Sequence, residues 1–320
     1  MKTVGIIGAN GYTGSELVRL LAFHPHVFLS FLYSRSNSGT KISDLYPDLS
    51  GVCEMVLTDQ PNEVDILFLC LPHKESQNWL IQNPIKEETV VIDLGNDFRL
   101  DGNFGNRNFI YGLPEISKKQ LVGAKSIANP GCFATAIQLA LLPLAQKSLL
   151  NEVYTTGITG STGAGQSLQP TTHFTWRNDN ISAYKTLTHQ HIDEILQQLV
   201  SFNTNEISLN FVPWRGDFAR GIFTSSTIKT DLDLSDIKQL YQDFYADEPF
   251  VKVSDKAIDM KQVVNTNRCV IQIEKSGNVV VIHSAIDNLL KGASGQAVQN
   301  MNIAMGWEEN LGLNLKPVAF

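Results

Sequence analysis

Val4-Gly5-Ile6-Ile7-Gly8-Ala9-Asn10-Gly11-Tyr12-Thr13-Gly14-Ser15 stands near the start of a 320-residue chain. Residues 4–8 read as a short strand, and the glycines that follow turn the chain. Over residues 15–23 apolar side chains recur at helical spacing, so the order is strand, glycine-rich loop, helix. Glycines at 8, 11 and 14 permit a tight turn and bring backbone N–H groups against a pyrophosphate, with the positive end of the helix behind them. The stretch predicts dinucleotide binding through Gly8, Gly11, Tyr12, Thr13 and Gly14. The plainer reading is a simple strand-to-helix turn.

Working outward, residues 27–33, 65–71 and 89–94 are further apolar strands separated by helical segments. Such alternation predicts a doubly wound parallel sheet of the Rossmann kind. The pattern changes at Asn129-Pro130-Gly131. An apolar helix is expected over 133–142, ended by Pro143. Strands follow at 153–159, 207–212, 222–228, 268–274 and 279–286, with helices at 191–200 and 236–244 and a last one after Asp287-Asn288. The fold class is therefore α/β: an N-terminal Rossmann sheet plus an α+β catalytic domain with a mixed or antiparallel sheet.

The end of the second strand selects the dinucleotide. An acidic residue there bonds a ribose 2′-hydroxyl. This chain has Tyr33-Ser34-Arg35-Ser36 instead, a hydroxyl and a guanidinium suited to a 2′-phosphate, so NADP(H) is expected at Ser34 and Arg35.

Composition sets the outer bounds. The net charge of -7 argues against nucleic acid or an anionic membrane as a partner. No apolar run approaches the ~18 residues of a membrane span, and the N-terminus lacks a signal-peptide layout. A cytoplasmic protein is expected. The four cysteines, at 53, 70, 132 and 269, form no CxxC pair, so no metal site is expected.

Only Cys132 has telling neighbours. Asn129-Pro130-Gly131-Cys132 leads directly into the apolar helix, and a thiol at a helix start feels the positive end of the dipole, which favours thiolate. It reads either as a nucleophile or as a capping or buried cysteine. Two more segments of small residues, Gly160-Ser161-Thr162-Gly163-Ala164-Gly165-Gln166 and the run from Asp287-Asn288 to Ala297, offer amides and hydroxyls for a cofactor or anion.

These stretches, together with Tyr111-Gly112-Leu113-Pro114-Glu115 and Gln299-Asn300, resemble the N-acetyl-gamma-glutamyl-phosphate reductase family of arginine biosynthesis, a relative of aspartate-semialdehyde dehydrogenase. The resemblance spans nearly the whole chain. It implies an NADP-binding Rossmann domain over 1–130 plus about 297–320, and a catalytic and oligomerisation domain over 131–296. It implies that Cys132 forms a thioester with an acyl phosphate, which NADPH reduces to a semialdehyde. It further implies Asn129, Gln166 and Arg220 at the substrate, Ser161, Gly163 and Asn288 at the cofactor, and a homodimer or homotetramer.

One departure stands out. In Phe211-Val212-Pro213-Trp214-Arg215 the family usually has a histidine where this chain has Trp214, which cannot shuttle protons. His189 is the first candidate for a replacement base. The neighbouring Arg215 suits a carboxylate, so an N-succinyl substrate is an alternative to N-acetyl. An aspartate-semialdehyde type of enzyme and a non-catalytic NADP-binding sensor are the remaining rivals.

Overall fold

Continuous apolar runs become strands buried on both faces when helices cover both sides of a parallel sheet. Ile66–Leu69 and Val90–Asp93 are of this kind, buried at every position. The structure, a computed structural model, describes residues 1–318. Within them the chain divides into two compact units.

The first unit comprises Met1–Gly131 and Ala293–Leu315. Its sheet runs Val27–Tyr33, Lys2–Ile7, Ile66–Leu69, Val90–Asp93, Ser126–Ala128, Ile110–Tyr111, with every neighbour parallel. The Gly295–Ala304 helix returns to pack on helices Tyr12–Leu21 and Pro114–Leu121. The chain re-enters this unit at Ala293 rather than 297, and residues 316–318 group with the other unit. The expected boundary at 320 lies outside the described residues. Buried amides fasten the returning helix: Asn300 Nδ2 donates to the Gly112 carbonyl at 2.8 Å and to Asn129 Oδ1 at 2.9 Å.

The second unit, from Cys132 to Gly292, holds a seven-stranded mixed sheet. Its order is Ser182–Ala183, Ser208–Arg215, Glu152–Thr159, Ile222–Lys229, Val279–Ile286, Cys269–Ser276, Val251–Ser254. Two of the pairings are parallel and the others antiparallel. Alternating burial along Glu152–Thr159 turns one set of side chains toward the core. Helices Cys132–Gln146, His191–Phe202 and Leu234–Phe244 make up that core with the sheet.

The helix at 132 differs from expectation. It does not stop at Pro143 but runs through it to Gln146. Proline inside a helix removes one N–H and frees the carbonyl four residues back, here that of Leu139. The Tyr245 hydroxyl donates to that carbonyl at 2.5 Å, and the Tyr241 hydroxyl donates to the next one, of Ala140. Both tyrosines are buried, so the broken ladder is completed by a neighbouring helix instead of by water.

Candidate active site

The glycine-rich loop sits where the sequence places it, at the carboxyl end of Lys2–Ile7. Gly8 adopts φ +80, and a Cβ there would lie 2.3 Å from the Cys70 carbonyl oxygen. A Cβ on Gly14 would lie 2.4 Å from the Gly8 carbonyl oxygen. Around Gly11, by contrast, the nearest atom stands 3.5 Å away, leaving room for a ligand to approach the backbone. Helix Tyr12–Leu21 starts from an extended Gly11, and the first N–H groups of such a helix have no intrahelical partners. A cradle too crowded for side chains, facing a helix start, fits a pyrophosphate.

At the same edge of this sheet, Ser34 is buried and its Oγ accepts from the Asn37 N–H at 3.3 Å, while Arg35 beside it is exposed. The two lie at the carboxyl end of Val27–Tyr33, parallel to Lys2–Ile7. The Thr13 carbonyl accepts from Ser294 Oγ at 2.8 Å. Burial pushes the Cys70 thiol up to about 12, which keeps it protonated.

Asn129 is buried, with its amide bonded to Asn300 and to the Ala293 carbonyl at 3.1 Å. Its own carbonyl accepts from Arg99 Nε at 2.9 Å. The expected substrate ligand is thus engaged in holding the turn before Cys132.

In the second unit, Cys132 is the first residue of a 15-residue helix and is half-buried. A Cβ on Gly292 would stand 2.7 Å from the Cys132 Cβ, so only glycine lets the 287–292 turn pass this close. Asp287 organises that turn. Fully buried, it accepts from the Leu289 N–H at 2.8 Å, from the Asn265 N–H at 2.6 Å and from Arg220 Nε at 3.1 Å. Arg220, expected at the substrate, has two of its nitrogens committed to this ion pair. Asn288 Oδ1 accepts from the Gly221 N–H at 2.8 Å, and its Nδ2 donates to Thr162 Oγ1 at 3.0 Å. The loop carrying Ser161 and Gly163 is thereby fastened beside Arg220; Gln166, farther along it, is exposed.

The strand Ser208–Arg215 carries Trp214 near its end. Side chains alternate along a strand, and Phe211, Pro213 and Arg215 share the face opposite to Trp214. Phe211 packs edge-on to Phe133, the residue after Cys132, at 5.1 Å. Trp214 therefore lies on the strand face opposite to the one that packs on Phe133.

His189 lies on the Phe211 side, edge-on to Phe133, Tyr184 and Phe211 at 5.5 to 5.7 Å. Its Nδ1 accepts from the His191 N–H at 3.2 Å, capping the start of helix His191–Phe202, so its proton resides on Nε2. Burial, and secondly His191, lower its pKa to about 3. Such an imidazole is neutral near pH 7, with its proton on Nε2.

Tyr184 was not expected. The Arg215 guanidinium lies over its ring at 4.7 Å, and burial followed by the nearby Cys132 sulfur pushes its hydroxyl up to about 12. It follows a two-residue strand, Ser182–Ala183, too short to leave a periodic pattern. Only its place five residues before His189 hinted at it.

Comparison with known proteins agrees with this layout. Residues 3–124 match the NAD binding domain of semialdehyde dehydrogenases, and residues 132–288 match their dimerisation domain. Aspartate semialdehyde dehydrogenase II of Vibrio cholerae, in a complex with ASA, superposes with a TM-score of 0.72 at 16% identity, covering 95% of this chain and 98% of that one. The NADP complex of aspartate semialdehyde dehydrogenase from Candida albicans has a TM-score of 0.67 at 17% identity, with coverage of 95% and 98%. These likenesses concern the fold. N-acetyl-gamma-glutamyl-phosphate reductase of Flavobacterium johnsoniae is 52% identical over 100% of both chains, and that of Christiangramia forsetii is 50% identical over 99% of both. With identity of this order from end to end, and with Cys132 heading its helix, the chain belongs to the N-acetyl-gamma-glutamyl-phosphate reductase family.

Proposed function

We propose that this protein reduces an N-acyl-γ-glutamyl phosphate, N-acetyl in the first instance, to the N-acyl glutamate semialdehyde, releasing phosphate, as a step of arginine biosynthesis. The observation that carries the reading is Cys132, half-buried at the start of its helix and backed by Gly292. The Cys132 sulfur attacks the acyl carbon, a C–S bond forms, and the C–O bond to phosphate breaks with its electron pair leaving on phosphate. NADPH, when bound, supplies the hydride. The His189 Nε2–H donates to the carbonyl oxygen as charge gathers there. When the tetrahedral oxyanion collapses, the C–S bond breaks, the aldehyde departs and sulfur leaves as thiolate. The phosphate takes up the proton that balances the reaction.

Gly8, Gly11 and Gly14, with the start of helix Tyr12–Leu21, would hold the pyrophosphate. Ser34 and Arg35 would receive the 2′-phosphate, and Ser161, Gly163 and Asn288 would serve the same ligand. A thiolate nucleophile calls for a reducing compartment, in keeping with a cytoplasmic enzyme. The dimerisation-domain match supports a homodimer or homotetramer. The test is NADP reduction by N-acetyl glutamate semialdehyde and phosphate. Wild type should turn over and Cys132→Ser should not, while the variant keeps its NADP affinity. NADP binding without turnover by any semialdehyde in a panel would return the reading to a sensor, and preference for aspartate semialdehyde would move it to that class.

A second acyl group has its own support. Arg215 Nε is buried and makes no hydrogen bond among the described residues. A carboxylate on the acyl chain, as in N-succinyl, would meet that donor. Comparing kcat/KM for N-acetyl and N-succinyl substrates decides it, and a clear acetyl preference removes the succinyl reading.

A further inference from the structure

The chain leading to His189 falls out of step with the strand beside it by one residue. Ser182 and Ala183 lie opposite Arg215 and Trp214 in an antiparallel pair, and the Tyr184 N–H donates to the Pro213 carbonyl at 3.1 Å. The next bond to that strand runs from the Leu187 N–H to the Phe211 carbonyl, at 3.0 Å. Three steps on one side thus answer two on the other, the spacing of a β-bulge. Within it Lys185 has a φ of 46° and Leu187 a φ of 58°, the left-handed region that residues other than glycine enter at a cost. Both side chains are exposed, so packing does not account for the conformation. The Thr188 N–H donates to the Lys185 carbonyl at 3.1 Å and closes the turn.

We propose that this extra residue, held by left-handed backbone at Lys185 and Leu187, is what delivers His189 to the side of the strand that carries Phe211, so that Lys185 and Leu187 are positioning residues for the reduction. The assignment rests on the donor role of His189 stated above. Tyr184 stands opposite Pro213, on the Phe211 face. Alternation continued without interruption from Tyr184 would give that face Thr186 and Thr188 and would send His189 to the other one. One additional residue reverses the order, and His189 meets Phe211 at 5.5 Å and Phe133 at 5.7 Å. The His191 N–H then fixes the ring through Nδ1, which leaves the Nε2–H to donate. Leucine and lysine in place of glycine leave the bulge few other conformations to visit, so the strain goes with a ring held in one place.

The test sets backbone preference against side-chain character at 187. Asparagine accepts a left-handed backbone, whereas isoleucine, the closer match to leucine in bulk and polarity, resists it. For NADP reduction by N-acetyl glutamate semialdehyde and phosphate, Leu187→Asn should keep kcat within about threefold of wild type. Leu187→Ile should lower kcat about tenfold to a hundredfold, as a misplaced catalytic group does, with KM little moved. Should Leu187→Ile fold badly, Lys185→Asn against Lys185→Val makes the same comparison. In the full-length chain carrying isotope-labelled histidine, the His189 ring signals should keep the Nε2–H form in Leu187→Asn and show both tautomers in Leu187→Ile. An isoleucine variant as fast as wild type, an asparagine variant as slow as the isoleucine one, or an equal further loss from Leu187→Ile once His189→Gln is in place overturns the proposal. Full turnover by His189→Gln would instead remove the donor role itself, and the ring signals, which need no turnover, then decide on the bulge.

Discussion

The Tyr245 hydroxyl donates to the Leu139 carbonyl, the acceptor left open because Pro143 has no N–H to offer it. A buried carbonyl without a donor costs about 1–3 kcal/mol, so this tyrosine is what allows the apolar helix behind Cys132 to continue unbroken.

Tyr245→Phe should therefore lower the unfolding free energy by about 1–3 kcal/mol, as measured in urea. In a Pro143→Ala background the alanine N–H can close the ladder, and the same change should cost clearly less. Equal costs in the two backgrounds would show that the hydroxyl contributes nothing through Leu139.

Gly8→Ala forces a side chain into the Cys70 carbonyl and an L-residue into a positive φ. NADPH affinity, followed by nicotinamide fluorescence, should fall at least about tenfold, since strain of this kind amounts to roughly 1–3 kcal/mol. Gly11→Ala meets no atom closer than 3.5 Å, so it should leave stability nearly unchanged and act on affinity alone.

His189 supplies a pH dependence with a definite sign. Its folded pKa, about 3, lies below the ordinary 6.5. Below pH 6.5 the unfolded chain binds a proton that the folded chain refuses, so stability falls with falling pH until about 3. Between pH 7 and pH 5 the loss from this residue should be about 2 kcal/mol. His189→Gln should flatten that part of the profile, while a slope unchanged in the variant would place its origin elsewhere.

Removing one partner of a buried ion pair costs more than the pair contributes. Asp287→Asn removes the buried carboxylate that accepts from Arg220 and from the Leu289 and Asn265 N–H groups, and should destabilise by about 3–5 kcal/mol. Replacing Arg220 and Asp287 together by Met and Leu should cost less than the single change. A denaturation series on the three variants checks the order.

Much of the first unit was legible because parallel strands buried on both faces leave continuous apolar runs, as at residues 66–69. The cofactor cradle was legible for a related reason, since the crowding around Gly8 and Gly14 requires glycine. Pro143 was misread because its remedy, Tyr245, lies 106 residues beyond Leu139, and no local pattern encodes such a partner. The face that Trp214 occupies was not legible, because motif position says nothing about which face of a strand a side chain takes. Tyr184 escaped notice because two paired residues, Ser182–Ala183, set its position and carry no period. The partners of Asn129 and Arg220 were not legible either, since their polar groups meet Asn300 and Asp287, distant in sequence.

The close pass of Gly292 against Cys132 also orders events at the ribosome. The sulfur is synthesised half a chain before the glycine that closes around it. A nascent polypeptide thus carries the thiol for a long interval without its finished surroundings, and a truncated product ending in that interval would have the residue but never the site.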